Sequence, residues 1–207
     1  MMRHKESCAW FEELYKNNYN QSEKIPWASM RANAHLLEYL QKNPACEKGC
    51  KPKAIVIGCG LGDDAKAIAN AGYATTAIDI SESAIAWCKE RFIDEDIEFL
   101  VHDVFELPSE MIGAYDFVYE ALTIQSLPPQ FREAIIRAIA SLLAPKAEML
   151  VIAHVKDESS KRAGPPWPLV QEELEYFIHA GVSLEALEVV QEPSHISDQK
   201  FKALFRR

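Results

Sequence analysis

Apolar residues fall in two rhythms along the chain, and the rhythms alternate. Ile55, Val56 and Ile57 form an uninterrupted β-branched run, the pattern of a strand buried on both faces of a parallel sheet. Further β-rich runs occupy 75–81, 97–105, 115–119 and 148–154, and two more, 183–190 and 200–205, close the chain. Between them the period lengthens. Trp10 with Leu14, Phe11 with Tyr15, the set Leu36, Leu37, Leu40, the set Ile85, Cys88, Phe92, and the stripe Phe131, Ile135, Ile139, Leu142 recur at helical spacing. Asn43-Pro44, Gly72 and Gly181 stop helices, Pro128-Pro129 opens one, and Ser81 is placed to cap the helix after the second strand. Strands alternating with helices predict an α/β fold, a doubly wound, mostly parallel sheet with helices on both faces. Residues 191–198 are too many for a tight hairpin between the two closing strands.

The first strand breaks into Gly58-Cys59-Gly60-Leu61-Gly62-Asp63-Asp64. Alternate glycines permit positive φ and bare the backbone, so a ligand can lie directly on the carboxyl edge of the sheet. A dinucleotide fingerprint would put a small residue where Asp63 stands. Asp63 and Asp64 suit a helix start, where carboxylates meet the positive end of the dipole. They repel a pyrophosphate and attract an ammonium or sulfonium, so the turn favours a cationic nucleoside over NAD. The second strand ends at Asp79, placed for ribose hydroxyls. The third run carries Asp103 among apolar neighbours, a setting that can bracket an adenine and accept from its amino group.

At this spacing the chain resembles the S-adenosylmethionine-dependent methyltransferases of the Rossmann-like class. Gly58, Gly60 and Gly62 match the glycine motif, Asp79 the ribose acid and Asp103 the adenine acid. The resemblance implies seven strands with the last antiparallel, S-adenosylmethionine as cofactor, and cofactor contacts from Trp27, Gly58, Cys59, Gly60, Gly62, Asp63, Asp79, Ile80, Asp103, Val104 and Glu120. Val56 stands where many members carry an acid two residues before the first glycine, and Asp63 or Glu120 is the candidate replacement for binding the methionine ammonium. Trp10, Pro26-Trp27, the glycine turn, residues 116–120 and Gly164-Pro165-Pro166-Trp167 are similar to the thiopurine and tellurite methyltransferase branch. There the amino-terminal arm closes over the cofactor and the GPP loop borders the substrate, which implies substrate contacts from Trp10, Pro165, Pro166 and Trp167. Ala121 replaces the arginine that follows the fourth-strand acid in the thiopurine enzymes.

Composition narrows the classes. With 207 residues, 48% of them hydrophobic, one structural unit is expected: residues 1–50 as helical arm and lid, 51–207 as the cofactor-binding domain. No signal-like run and no stretch of eighteen apolar residues occurs, so a cytoplasmic, unexported protein without membrane association is expected. Five cysteines read as reduced thiols. Cys46 and Cys50 lack a second ligand pair, and no metal is expected. The net charge of −9 disfavours a nucleic-acid partner. Lys200, Lys202, Arg206 and Arg207 are read as dressing an edge strand.

For the chemistry, a sulfonium methyl is already electrophilic, so the protein must chiefly align a nucleophile and exclude water. A thiol or other soft small-molecule acceptor needs no strong base. For an amine or hydroxyl acceptor, Glu120 and His154 are the catalytic candidates, Glu120 being read foremost as a partner for an ammonium. His154 also has a purely structural reading, Trp10 and Trp27 can anchor the arm as well as shield a sulfonium, and the proline-rich loop can be a stiff connection. The rivals are a nicotinamide-dependent oxidoreductase, a non-catalytic S-adenosylmethionine-binding protein, and a methyltransferase acting on a macromolecule. A monomer or homodimer is expected.

Overall fold

The computed structural model describes residues 4–45, 51–156, 164–192 and 195–207, the side chains of 192–198 excepted. Cys46, Cys50 and residues 157–163 lie outside them. The strands are β1 (Lys53–Ile57), β2 (Ala74–Asp79), β3 (Ile97–Val101), β4 (Tyr115–Ala121), β5 (Leu143–His154), β6 (Ser183–Glu192) and β7 (His195–Arg206). They form one seven-stranded sheet in the order β3-β2-β1-β4-β5-β7-β6. The helices are α1 (His4–Asn17), α2 (Ala34–Lys42), α3 (Asp63–Asn70), α4 (Glu82–Arg91), α5 (Arg132–Ala140) and α6 (Glu175–His179). The chain divides into two compact units, Met1–Glu106 and Leu107–Arg207. No helix among the described residues is long and apolar enough to cross a membrane.

In the first unit, β1 pairs in parallel with β2, and β2 with β3. Residues 54–57 are buried throughout, as an uninterrupted β-branched run requires when helices cover both faces. The Ser81 hydroxyl accepts from the Ala84 N–H and caps α4 as expected. Helix α3 starts at the two acids as expected, with the preceding glycine as its cap. Gly62, at φ +85°, takes the N-cap position, and Asp63 and Asp64 fall in the first turn. A Cβ on Gly62 would lie 2.9 Å from the Phe92 ring and 3.1 Å from both Cys88 Sγ and Phe99, so packing and backbone conformation demand glycine together. Tyr15, Ile25, Leu61, Ala84 and Trp87 form a buried cluster that fastens the amino-terminal arm.

In the second unit, β4 and β5 are parallel, and β7 runs antiparallel to both β5 and β6. This arrangement corrects two expectations. The closing strands extend to Glu192 and from His195, because backbone pairing continues through most of the polar stretch read as a loop, including Gln191 opposite Gln199. The basic carboxyl terminus does not dress an edge, since β7 is flanked on both sides and Lys200 is buried; β6 is the edge strand beside it. Arg206 pairs with Glu148, and Arg207 Nη1 donates to the Leu143 carbonyl 2.8 Å away. A 3-10 turn (Gln171–Leu174) leads into α6, and Gly181 follows shortly after its end, as expected of a helix stop.

Gly62→Ala is expected to destabilise the protein by about 1–3 kcal/mol, from αL strain plus overpacking, read as a lowered urea midpoint. An unchanged midpoint would refute the packing described for the turn.

Candidate functional site

The glycine turn is held from below by a buried carboxylate. Asp79 Oδ2 accepts from the Gly60 N–H at 3.0 Å and Oδ1 from the Ser81 N–H at 2.9 Å. Burial raises the Asp79 pKa to about 6, against the lowering effect of the backbone N–H groups of Ser81, Gly60 and Ile80. Gly58 and Gly60 both take positive φ. Cys59 is buried, and the Cys88 thiol donates to the Gly60 carbonyl at 3.1 Å. Among the described residues Cys8, Cys59 and Cys88 are free thiols.

The arm supplies a residue that sequence reasoning left as helix patterning. Tyr15 is buried on α1, and its hydroxyl lies 3.1 Å from where a Cβ on Gly60 would stand. It accepts from Trp27 Nε1 at 2.7 Å. Trp27, 39% exposed, also meets Trp10 and Phe11 edge-on, each at a centroid distance of 5.7 Å. Trp27 and Trp10 therefore belong to one aromatic group whose polar member faces the glycine turn. The Phe11/Tyr15 spacing was the only sign of this in the sequence. Glu12 on the same helix accepts from both the Ser81 and Ser83 hydroxyls and the Ser83 N–H, which fastens the arm to the N-terminus of α4.

Asp63 departs from expectation. Arg91 donates to both of its oxygens, at 2.8 and 3.0 Å, and also to the Leu61 carbonyl. Its charge is thus compensated by a bidentate pair, and the repulsion of a pyrophosphate expected from Asp63 is correspondingly weakened. Nothing local to the turn marks this pair, because Arg91 lies 28 residues away at the end of another helix. Asp103 accepts from the Phe105 N–H and makes a 2.8 Å contact with His4 Nε2. Lys5 beside it pairs with Glu106, so the start of α1 is tied to the segment carrying Asp103 and Val104.

The second unit holds its own buried polar group. Glu120, at the end of β4, is fully buried; Oε1 accepts from the Thr123 and Ile124 N–H groups at 2.6 and 2.9 Å. Oε2 makes no hydrogen bond among the described residues. Burial raises the Glu120 pKa to about 7, although those N–H groups and the charge of Arg132 pull it down. His154 ends β5, where its backbone N–H donates to Gln125 Oε1 at 2.6 Å and its carbonyl accepts from the Leu169 N–H at 2.9 Å. In the proline-rich loop the Trp167 indole folds onto Gly164, where a Cβ would come within 2.0 Å of the ring. Pro165 is exposed and Pro166 half-buried. Gln125, in the 3-10 turn Ile124–Ser126, and Arg132, the first residue of α5, hold Trp167 in this loop, and nothing in the sequence around them signals that role.

The residues present fit a nucleoside sulfonium cofactor. Bare positive-φ glycines, a buried carboxylate beneath them and an aromatic arm provide backbone, ribose and cation contacts of the right chemistry.

Comparison with known proteins agrees with this chemistry. The family model described as thiopurine S-methyltransferase matches residues 12–204. Thiocyanate methyltransferase 1 of Arabidopsis thaliana is 27% identical over 203 residues, covering 95% of this chain and 80% of the relative. A thiopurine S-methyltransferase of Pseudomonas putida is 28% identical over 185 residues, 80% of this chain and 84% of the relative. Among solved structures, the Burkholderia thailandensis 1,6-didemethyltoxoflavin-N1-methyltransferase with bound S-adenosylhomocysteine superposes with a TM-score of 0.76 at 18% identity, covering all of this chain and 91% of the other, a likeness of fold. With a family match spanning nearly its whole length, this chain belongs to the thiopurine S-methyltransferase family of S-adenosylmethionine-dependent methyltransferases.

Proposed function

We propose that the protein methylates a small thiol or another soft sulfur, selenium or tellurium nucleophile, acting in the cytoplasm as a monomer or homodimer. The observation that carries this reading is the glycine turn braced by buried Asp79 under the Tyr15–Trp27 arm. Relatives named for thiocyanate, thiopurine and thiol methylation support a soft acceptor.

S-adenosylmethionine supplies a methyl group made electrophilic by its sulfonium. We assign its contacts to the backbone of Gly58, Cys59, Gly60 and Gly62, to Asp79 and Ile80 at the ribose, to Asp103 and Val104 at the adenine, and to Trp27. Asp63 stays among these contacts, with its charge balanced by Arg91. Residues 1–50 serve as arm and lid, and 51–207 as the catalytic domain. Trp10, Pro165, Pro166 and Trp167 border the acceptor. Glu120 holds an ammonium of cofactor or substrate through Oε2, and for acceptors that must lose a proton, Glu120 or His154 receives it. A soft anion arrives already deprotonated, so aligning it and excluding water is most of the protein's task.

Three outcomes test this. In calorimetric titrations S-adenosylmethionine and S-adenosylhomocysteine should bind at micromolar levels and NADH should not; NADH binding alone overturns the reading. Turnover is then sought with hydrosulfide, thiocyanate, 6-mercaptopurine, selenide and tellurite, and transfer to none of them sinks the acceptor class while leaving a cofactor-binding protein. Asp79→Ala should weaken cofactor binding by about 1–3 kcal/mol through lost hydrogen bonds; a folded variant with unchanged affinity removes the ribose assignment.

Glu120 also makes a pH prediction. Its folded-state pKa is raised above the ordinary 4.5 to about 7, so between those values the folded chain binds more protons than the unfolded one, and stability falls as pH rises. The penalty is absent below about pH 4.5, complete above pH 7, and worth about 3 kcal/mol. Glu120→Gln keeps an acceptor for the two N–H groups and lacks the titration. Its stability relative to wild type should therefore increase from pH 4.5 to 7.5, measured by urea unfolding; a flat difference would show that Glu120 titrates normally.

A further inference from the structure

Arg132 is a cation placed where the fold alone calls for an apolar side chain. It is 2% exposed at the start of α5, whose buried positions are otherwise Ile135, Ile136, Ile139 and Ala140. Burying a guanidinium is costly, and an apolar replacement of similar volume is often neutral or stabilising in such a position. Its contacts show where the charge is used. Nη2 donates to the Trp167 carbonyl at 3.0 Å, and Nη1 lies 3.5 Å from Glu173 Oε2. The same Glu173 oxygen accepts from the Val170 N–H at 2.9 Å.

The loop itself depends on this anchor. Trp167 N–H donates to the Gln125 carbonyl at 2.7 Å, so with Arg132 both polar groups of its peptide backbone are held. Leu169 is fixed in turn, donating to the His154 carbonyl and accepting from the Lys156 N–H. Between Gly164 and Trp167 the indole lies on Gly164. The planar fork of arginine can address a carbonyl and a carboxylate from one rigid group, which a lysine cannot do.

We propose that Arg132 is a positioning residue of the methyl-transfer reaction, which from within α5 sets the place of Trp167 and so the shape of the acceptor wall formed by Gly164-Pro165-Pro166-Trp167. The inference deepens the proposed function, resting on it for the identity of the wall. Arg132 acts through the Trp167 carbonyl and the Glu173 carboxylate, and touches neither cofactor nor acceptor. Loss of Arg132 would therefore leave cofactor binding intact and loosen the acceptor's seat.

The test uses the full chain with Arg132→Met, Arg132→Lys and Glu173→Gln, each also made with Trp167→Phe so that the Trp167 fluorescence is obtained by difference. Circular dichroism establishes folding. In Arg132→Met, acrylamide quenching of Trp167 should rise at least about twofold, with smaller rises in Arg132→Lys and Glu173→Gln, while S-adenosylhomocysteine affinity stays within about twofold. With hydrosulfide as acceptor, KM should rise about tenfold in Arg132→Met while kcat changes by less than about threefold, the size expected for losing a charged hydrogen bond. Unchanged Trp167 quenching in folded Arg132→Met overturns the proposal, as does a loss of kcat with KM unaltered. If Arg132→Met does not fold, unchanged quenching in both other variants overturns it equally. A wild-type protein that methylates no acceptor counts against the proposed function, and the fluorescence still decides whether Arg132 places Trp167.

Discussion

The Asp79 carboxylate accepts one N–H from the glycine turn and one from the mouth of α4, and it does so while buried. A carboxylate in that setting must find donors or lose its charge. The two backbone N–H groups meet the demand, and in doing so tie the ends of β1 and β2 into one rigid edge. The conformation of the turn, the approach of Tyr15 to Gly60 and the capping of α4 by Ser81 all build on that tie. Glu12 extends it to the arm, because its carboxylate binds the same serine that stands beside Asp79. A site made this way keeps its geometry through backbone hydrogen bonds, with few side-chain rotamers to order when a ligand arrives.

The second unit solves a similar problem with a different result. Glu120 and Arg132 are both buried, and among the described residues Glu120 Oε2 and Arg132 Nε make no hydrogen bond. Buried polar atoms without partners are uncommon in folded proteins, and they concentrate where a ligand or a reaction uses them. Glu120 is poised to change protonation near neutrality, whereas Arg132 remains a cation directed at the Trp167 and Glu173 acceptors. One group is suited to charge recognition and the other to holding a loop in place.

Asp63 shows how charge read from sequence can mislead. Two acids after a glycine turn imply a negative mouth, but Arg91 forms a bidentate pair with Asp63 and also reaches the Leu61 carbonyl. The field at the turn is set by the pair. Similarly, the basic residues at the carboxyl terminus suggested an edge strand, yet β7 is enclosed between β5 and β6 and the exposed edge is the acid-bearing β6.

The sequence by itself determined the alternation of strands and helices, the buried character of β1, the turn at Gly58, Gly60 and Gly62, and the acids ending β2 and β4. These depend on local period, β-branching and the need for positive φ, all of which are written in adjacent residues. Tertiary structure alone decided that Asp63 is paired with Arg91, that Tyr15 faces Gly60, that Gln125 and Arg132 hold Trp167, and that β7 lies inside the sheet. Each of these joins residues distant along the chain through hydrogen bonds or strand pairing, and no local periodicity encodes such a meeting. Gln125 and Arg132 stand beside other polar residues in the sequence, so only the packed chain picks them out.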